Sequence, residues 1–246
     1  DSKGYREGPY IRADLGDAHE ITQSLRRSEP ELVYNLAAEF GRINGAQHPE
    51  RMWRSNVVGL RHLLDSQKSQ GFRLIQFSTS EIYGDVVGEL HEDLFDTHPL
   101  QPLCDYALSK YVGERMMINS VGDSLRIRLF NLYGPGEHWT PYRSVVARFV
   151  WAAVHNDPLY VHEGHSRDLL YIDDAIETLS RIPDRWGHLP GDPRYRVCNI
   201  GGVETIRIEA LAKLVCELAD APESLIRPLP PEKRNVFFRG FNKVYS

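Results

Sequence analysis

Tyr106 and Lys110 stand four residues apart, a spacing that places both side chains on one face of a helix. A phenol is a poor base at neutral pH, but a nearby ammonium favours the phenolate. Such a pair can take the proton of an alcohol while hydride leaves the carbon that bears it. Alone, the pair is a common coincidence. Thr79 adds a hydroxyl just beyond the apolar strand Phe72–Phe77, able to bond the oxygen that Tyr106 deprotonates. Glu81, two residues on, can move a second proton or simply form a loop salt bridge. The chemistry implied is hydride transfer with one additional acid or base.

The elements needed to position these groups are legible as periodicity. Residues 9–15 read as a short strand ending at Asp14, and 17–27 as a helix with Ile21 and Leu25 on one face. The run 32–38 suits a strand buried in a parallel sheet. Residues 49–70 read as a long helix, 74–77 as a strand, 106–119 as a helix and 125–130 as a strand. This alternation predicts a doubly wound, Rossmann-like α/β sheet. Beyond Gly134-Pro135-Gly136 the spacing predicts a helix over 145–155 and a strand over 159–161. A strand running into a helix follows over 169–182, then a strand over 194–200 and a helix over 208–219. The division expected is a dinucleotide-binding part over 1–135 and a smaller substrate lobe over 136–246, interleaved with the last strands of the main sheet.

Composition narrows the functional classes. Of 246 residues, 29 are basic and 34 acidic, well mixed, so neither a nucleic-acid partner nor a membrane surface is expected. The longest apolar stretch, 145–154, contains Arg148 and is too short for a span. Cys104, Cys198 and Cys216 are scattered without a CxxC, which fits a reducing cytoplasm. His162-Glu163-Gly164-His165 is weak as a metal pair, and its side chains are expected in solvent; no metal is expected. Cys104 reads as a bystander near Tyr106, Glu39 as a sugar contact or loop salt bridge, and Asp173 and Asp174 as a helix start.

Seven segments in order resemble the extended short-chain dehydrogenase/reductases that act as nucleotide-sugar epimerases and dehydratases. They are Asp14-Leu15, Asn35-Leu36-Ala37-Ala38, Asn56-Val57-Val58-Gly59, Ser78-Thr79-Ser80-Glu81-Ile82-Tyr83-Gly84, Tyr106-Ala107-Leu108-Ser109-Lys110, the run from Arg128 to Gly136, and the run from Arg167 to Asp174. The resemblance implies Thr79, Tyr106 and Lys110 as catalytic residues with Glu81 as an extra acid or base. It implies NAD, or NADP, held by Asp14, Leu15, Leu36, Ala37, Ala38, Asn56, Ser78, Tyr106, Lys110 and Phe130. It implies a nucleotide-diphosphate sugar held by Thr79, Ser80, Asn131 and Arg167, with Arg227, Lys233 and Arg234 near the nucleotide. A homodimer through the helices of 50–69 and 106–119 is also implied.

The family's opening glycine-rich turn, which holds the cofactor pyrophosphate, has no counterpart in this sequence. A strand–helix–strand unit of about forty residues is therefore expected in front of Asp1. The resemblance further implies oxidation of a hexose at C4. Glu81 then favours 4,6-dehydration over 4-epimerisation, and the same Thr-Ser-Glu loop resembles UDP-glucuronate decarboxylases. From a different class, a non-catalytic binding scaffold on the same fold is opposed by the joint presence of Thr79, Tyr106 and Lys110.

Overall fold

A computed structural model describes residues 9–140, 143–189, 191–193, 195–230 and 243–245. The chain runs α1 (Ala18–Ser28), β1 (Leu32–Asn35), α2 (Arg42–Gln47), α3 (Pro49–Trp53), α4 (Gly59–Gln70), β2 (Arg73–Thr79), β3 (Gly88–Leu90), α5 (Leu94–Thr97), α6 (Asp105–Ile118) and β4 (Ser124–Leu129). It continues β5 (Asn131–Tyr133), α7 (Val145–Val154), β6 (Leu159–Val161), β7 (Ser166–Tyr171), α8 (Ile172–Arg185), β8 (Val197–Ile200), β9 (Thr205–Arg207), α9 (Ile208–Leu218), β10 (Ile226–Pro228) and β11 (Lys243–Tyr245). The main sheet is parallel throughout, in the order β1-β2-β4-β8. Its α/β architecture matches the expectation, and every crossover carries at least one helix, as parallel pairing demands.

The central strand β2 is buried along nearly its whole length, while β1 is mostly half-buried because it pairs on one side only among the described residues. One apolar cluster fills the sheet face under α8, with Ile75, Phe77, Leu125, Ile127 and Trp186. A second fills the opposite face under α4, with Leu60, Leu63, Leu64, Leu74 and Met117. The later segments form a further body in which α7 and α9 pack on β6 around Phe149, Leu159, Leu211 and Val215. From the same later part of the chain, β8 pairs with β4 in the main sheet and α8 packs on one of its faces.

Three local expectations change. Residues 9–14 form no strand: they lie largely exposed, with no neighbouring strand among the described residues to pair with. Backbone donors and acceptors without a ladder have no reason to extend into a strand. The run 32–38 stops as a strand at Asn35, and Leu36 points into solvent. The 49–70 helix is continuous, but its turn over 54–58 widens to a π-helix around Asn56. Asp17 caps α1, its carboxylate accepting from the backbone of His19 at 2.9 Å and Glu20 at 3.0 Å. Among the described residues no helix is long and apolar enough to cross a membrane.

Candidate active site

Strand β2 ends at Thr79, whose Oγ1 accepts from the Glu81 N–H at 3.3 Å and so caps a 3₁₀ turn over Ser80–Tyr83. That turn ends at Gly84, with φ 63° and ψ −122°; a Cβ there would lie 2.1 Å from the Gln101 carbonyl oxygen. Only glycine lets the two loops approach so closely. The second wall is α6, capped by Cys104, whose Sγ accepts from the Ala107 N–H at 3.5 Å. The predicted i, i+4 spacing places Tyr106 and Lys110 at one cavity, which Thr79 also lines.

Electrostatics differ from the sequence expectation. Burial pushes the Tyr106 phenol up to about 12, with the Thr79 side chain acting against it. Lys110 is not among the groups that shift it. Its Nζ donates to the Phe77 carbonyl at 2.9 Å, and burial pulls its own pKa down to about 8, opposed by Glu114. Desolvation therefore dominates, and Tyr106 stays protonated in the chain alone.

Beneath the pair lies a buried ionic network. Glu114 accepts from Arg128 Nη2 at 2.8 Å, Arg126 Nη1 at 3.3 Å and Ser78 Oγ at 2.5 Å. Arg128 continues to the Tyr83 hydroxyl at 2.7 Å, which donates to Asn199 Oδ1 at 2.7 Å. The network ties α6 and β4 to the Glu81 turn and to β8, fixing the strand ends that carry the site.

Two cavities meet at Tyr106. One, about 570 Å³, is lined by Leu36, Ala38, Phe77, Ser78, Thr79, Lys110 and Phe130. The other, about 330 Å³, is lined by Arg42, Glu81, Asn131, Arg143, Arg148 and Arg167, with His162 and His165. Both share Phe40, Tyr106, Arg143 and Ser144. The first has apolar walls suited to a flat ring; the second is strongly cationic. A larger cavity of about 910 Å³ between α7 and α9 is mainly apolar and contains none of these catalytic candidates.

The predicted site residues therefore separate. Thr79, Glu81, Tyr106, Lys110, Leu36, Ala38, Ser78, Phe130, Asn131 and Arg167 line the two cavities. Asn131 Nδ2 donates to the Asp168 carbonyl at 2.9 Å. Burial lowers the Arg167 pKa while Glu81 acts to raise it. Ala37 and Ser80 are not lining residues. Asn56 is not either: its amide clasps the Glu39 backbone and donates to Ser109 Oγ at 3.0 Å, so it braces the loop below the cavity. Asp14 lies on the surface, paired with Arg54 at 2.8 Å, and Leu15 packs beside Gly59. Arg227 is exposed, while Lys233 and Arg234 fall outside the described residues.

Glu39 takes the salt-bridge option, with Arg51 at 2.9 Å. Asp173 and Asp174 occupy the first turn of α8, as expected. His162 and His165 are not in solvent: they are half-buried, ring centroids 4.0 Å apart, because the turn between β6 and β7 folds over the cationic cavity. No three His, Cys, Asp or Glu side chains gather to hold a metal among the described residues. Sequence reading missed Arg42, Arg143 and Arg148 as lining residues. For Arg148 a signal existed, a charge within the apolar run 145–154.

The NAD dependent epimerase/dehydratase family matches residues 2–201. The chain belongs to that family. Among similar curated proteins, UDP-glucuronic acid decarboxylase 6 of Arabidopsis thaliana is 28% identical over 88% of this chain and 63% of its own length. A dTDP-glucose 4,6-dehydratase of Mycobacterium tuberculosis is 27% identical over 71% of this chain and 53% of its own. The chain thus spans roughly three-fifths of these relatives. In fold it is similar to an epimerase of Methanothermobacter thermautotrophicus, with TM-score 0.81 and 21% identity over 96% of this chain and 69% of that one. It also resembles Thermus thermophilus UDP-glucose 4-epimerase in complex with NAD, with TM-score 0.74 and 24% identity over 91% and 73% of the two chains. The cavity beside Tyr106 and Lys110, walled by Phe77, Leu129 and Phe130, suits the nicotinamide end of the cofactor in the family's name.

Proposed function

We propose that this protein oxidises the C4 hydroxyl of a nucleotide-diphosphate hexose, eliminates water across C5 and C6, and then returns the hydride to C6 and a proton to C5, a net loss of water. The observation that carries this reading is the junction at Tyr106. One side chain faces an apolar slot on one side and a cationic chamber on the other, with Thr79 lining the slot beside it. NAD bound in the slot would accept the hydride and bring a positive ring charge to offset the burial that keeps Tyr106 protonated. Lys110 and Ser78 would flank it, and Phe77, Leu129 and Phe130 would exclude water. Thr79 holds the sugar O4 while Tyr106 takes its proton. Asn131 and Arg167, with Arg143 and Arg148, suit the diphosphate, since the guanidinium fork matches phosphate oxygens. Glu81, in the same chamber, is placed to take the C5 proton that a C4 ketone makes acidic.

Decarboxylation of a sugar acid is the second reading. It is favoured by the same excess of arginines around Glu81, which would also accept a sugar carboxylate. The purified protein would be mixed with NAD and UDP-, dTDP- and GDP-hexoses or uronates, and products read by mass. Loss of water supports dehydration and loss of carbon dioxide supports decarboxylation. An isomer of equal mass supports 4-epimerisation, and no turnover despite bound cofactor supports a binding scaffold. A homodimer through the helices of 50–69 and 106–119, where Val58 and Leu108 are exposed, is the expected assembly, tested by light scattering. The three free cysteines fit a cytoplasmic location.

A further inference from the structure

Glu81 does not stand alone in the chamber. Arg42 Nε donates to its Oε2 at 2.7 Å, and Arg42 Nη2 makes a second contact with the same oxygen. Both side chains are about three-quarters buried, at 21% and 25% exposure. The two residues lie 39 positions apart, one at the start of α2 and the other in the turn after β2, so the contact is tertiary.

Arg42 is itself held in place. Gly41, at φ 92°, turns the chain into α2 and makes Arg42 its first residue. The buried Asn44 anchors that helix, donating to Glu39 Oε2 at 2.9 Å and to the Phe40 carbonyl at 3.0 Å. Gly45 lies against the start of α6, where a Cβ would sit 3.3 Å from the Tyr106 backbone nitrogen. One short helix therefore carries Arg42 at a fixed offset from Tyr106.

The charged and titratable groups around Glu81 come from each packed element: Arg42 from α2, Arg167 from β7, and Cys104 and Tyr106 from the start of α6. Burial keeps the Cys104 thiol protonated. Arg143, Arg148, His162 and His165 line the same chamber, so the surroundings of Glu81 are predominantly cationic. An adjacent guanidinium favours the ionised carboxyl.

We propose that Arg42 is a positioning residue that holds Glu81 as a carboxylate beside Tyr106, making it a base rather than an acid in the step after oxidation. This rests on the C4-oxidation reading. In that step Glu81 takes the C5 proton and the C5–H electron pair moves into the C4 carbonyl, giving an enolate oxygen held by Thr79 and the now protonated Tyr106. When the enolate collapses and the C6–O bond breaks, the proton on Glu81 goes to the departing oxygen and leaves as water.

Two measurements test it on wild type, Arg42→Met and Arg42→Lys. In the first, carboxyl groups of ¹³C-glutamate-labelled protein are titrated by NMR without substrate, with Glu81→Gln assigning the signal. Removing Arg42's charge should raise the Glu81 midpoint by about one unit or more, with Arg42→Lys recovering most of it. Equal midpoints in wild type and Arg42→Met overturn the proposal, whatever reaction the protein performs. In the second, UDP-glucose, dTDP-glucose and GDP-mannose are mixed with the protein and NAD. Nicotinamide reduction is followed against solvent deuterium entering C5. In Arg42→Met the deuterium step should fall at least about tenfold more than reduction does, its acid limb moving to higher pH. An unchanged ratio and limb overturn the proposal. Absence of nicotinamide reduction in wild type with all three sugars removes the C4-oxidation reading, and with it the base role. The titration then still decides whether Arg42 sets the charge of Glu81.

Discussion

Replacing Glu114 with Gln should unfold this protein far more readily than its single lost charge suggests. Glu114 lies on α6 with no solvent exposure and is the shared anion of Arg126 and Arg128, whose side chains are 3% and 0% exposed. Glutamine fits the same space but offers one neutral acceptor where a carboxylate met two guanidinium groups and the Ser78 hydroxyl. Breaking one partner of a buried pair costs about 3–5 kcal/mol, because the remaining charge stays buried without compensation. For a chain of this size that lowers the melting temperature by about 6–20 °C. Equilibrium urea unfolding gives the free energy and calorimetry the temperature. The double replacement Glu114→Leu with Arg128→Met should cost less than Glu114→Leu alone, since no orphan charge at position 128 remains. A Glu114→Gln loss below about 1 kcal/mol, or a double replacement costing more than the single, would refute the claim that this network is held by charge. Glu114 also raises the Lys110 pKa, so the pH at which Lys110 loses its proton should move below about 8 in Glu114→Gln.

Tyr106→Phe should reduce hexose oxidation by at least about a hundredfold while nucleotide-sugar binding, measured by calorimetry, changes little. Lys110 gives a pH signature. Its folded pKa, about 8, lies below the ordinary lysine value of 10.5, so the unfolded chain binds more protons between those values. Stability should therefore rise with pH across that window relative to Lys110→Met, by at most ~3 kcal/mol, and run parallel to it below about pH 7. Parallel urea midpoints through the whole window would contradict the burial of a charged Lys110. Gly84→Ala should cost more than ~2 kcal/mol in urea unfolding, since the new Cβ would meet the Gln101 backbone and φ is positive.

Much of the frame was legible because its signals are local. The i, i+4 pair on α6, the apolar run of β2 and the α1 helix each depend on neighbours in sequence, and each appears where the periodicity places it. The buried network was hidden by the same logic. Arg126 and Arg128 alternate with Leu125 and Ile127, the pattern of a strand with one wet face, yet α6 covers that face and supplies Glu114 as the counter-charge. Arg42 was invisible because its partner lies in another loop. The strand expected over 9–15 failed because a strand exists only with a neighbour, which alternation cannot supply. Tyr106 was expected to be activated by Lys110; spacing fixed their common face, while burial, a property of the whole fold, set the sign of the shift.

The central claim is that Tyr106, with Thr79 and Lys110, removes the O4 proton as C4 is oxidised. The most direct test uses nucleotide hexoses deuterated at C4, mixed with NAD and the purified protein, with the reduced nicotinamide analysed by mass spectrometry. Deuterium should reach the nicotinamide in wild type and be lost almost entirely in Tyr106→Phe. Transfer at wild-type rate in Tyr106→Phe, or reduced nicotinamide carrying no deuterium, would contradict it.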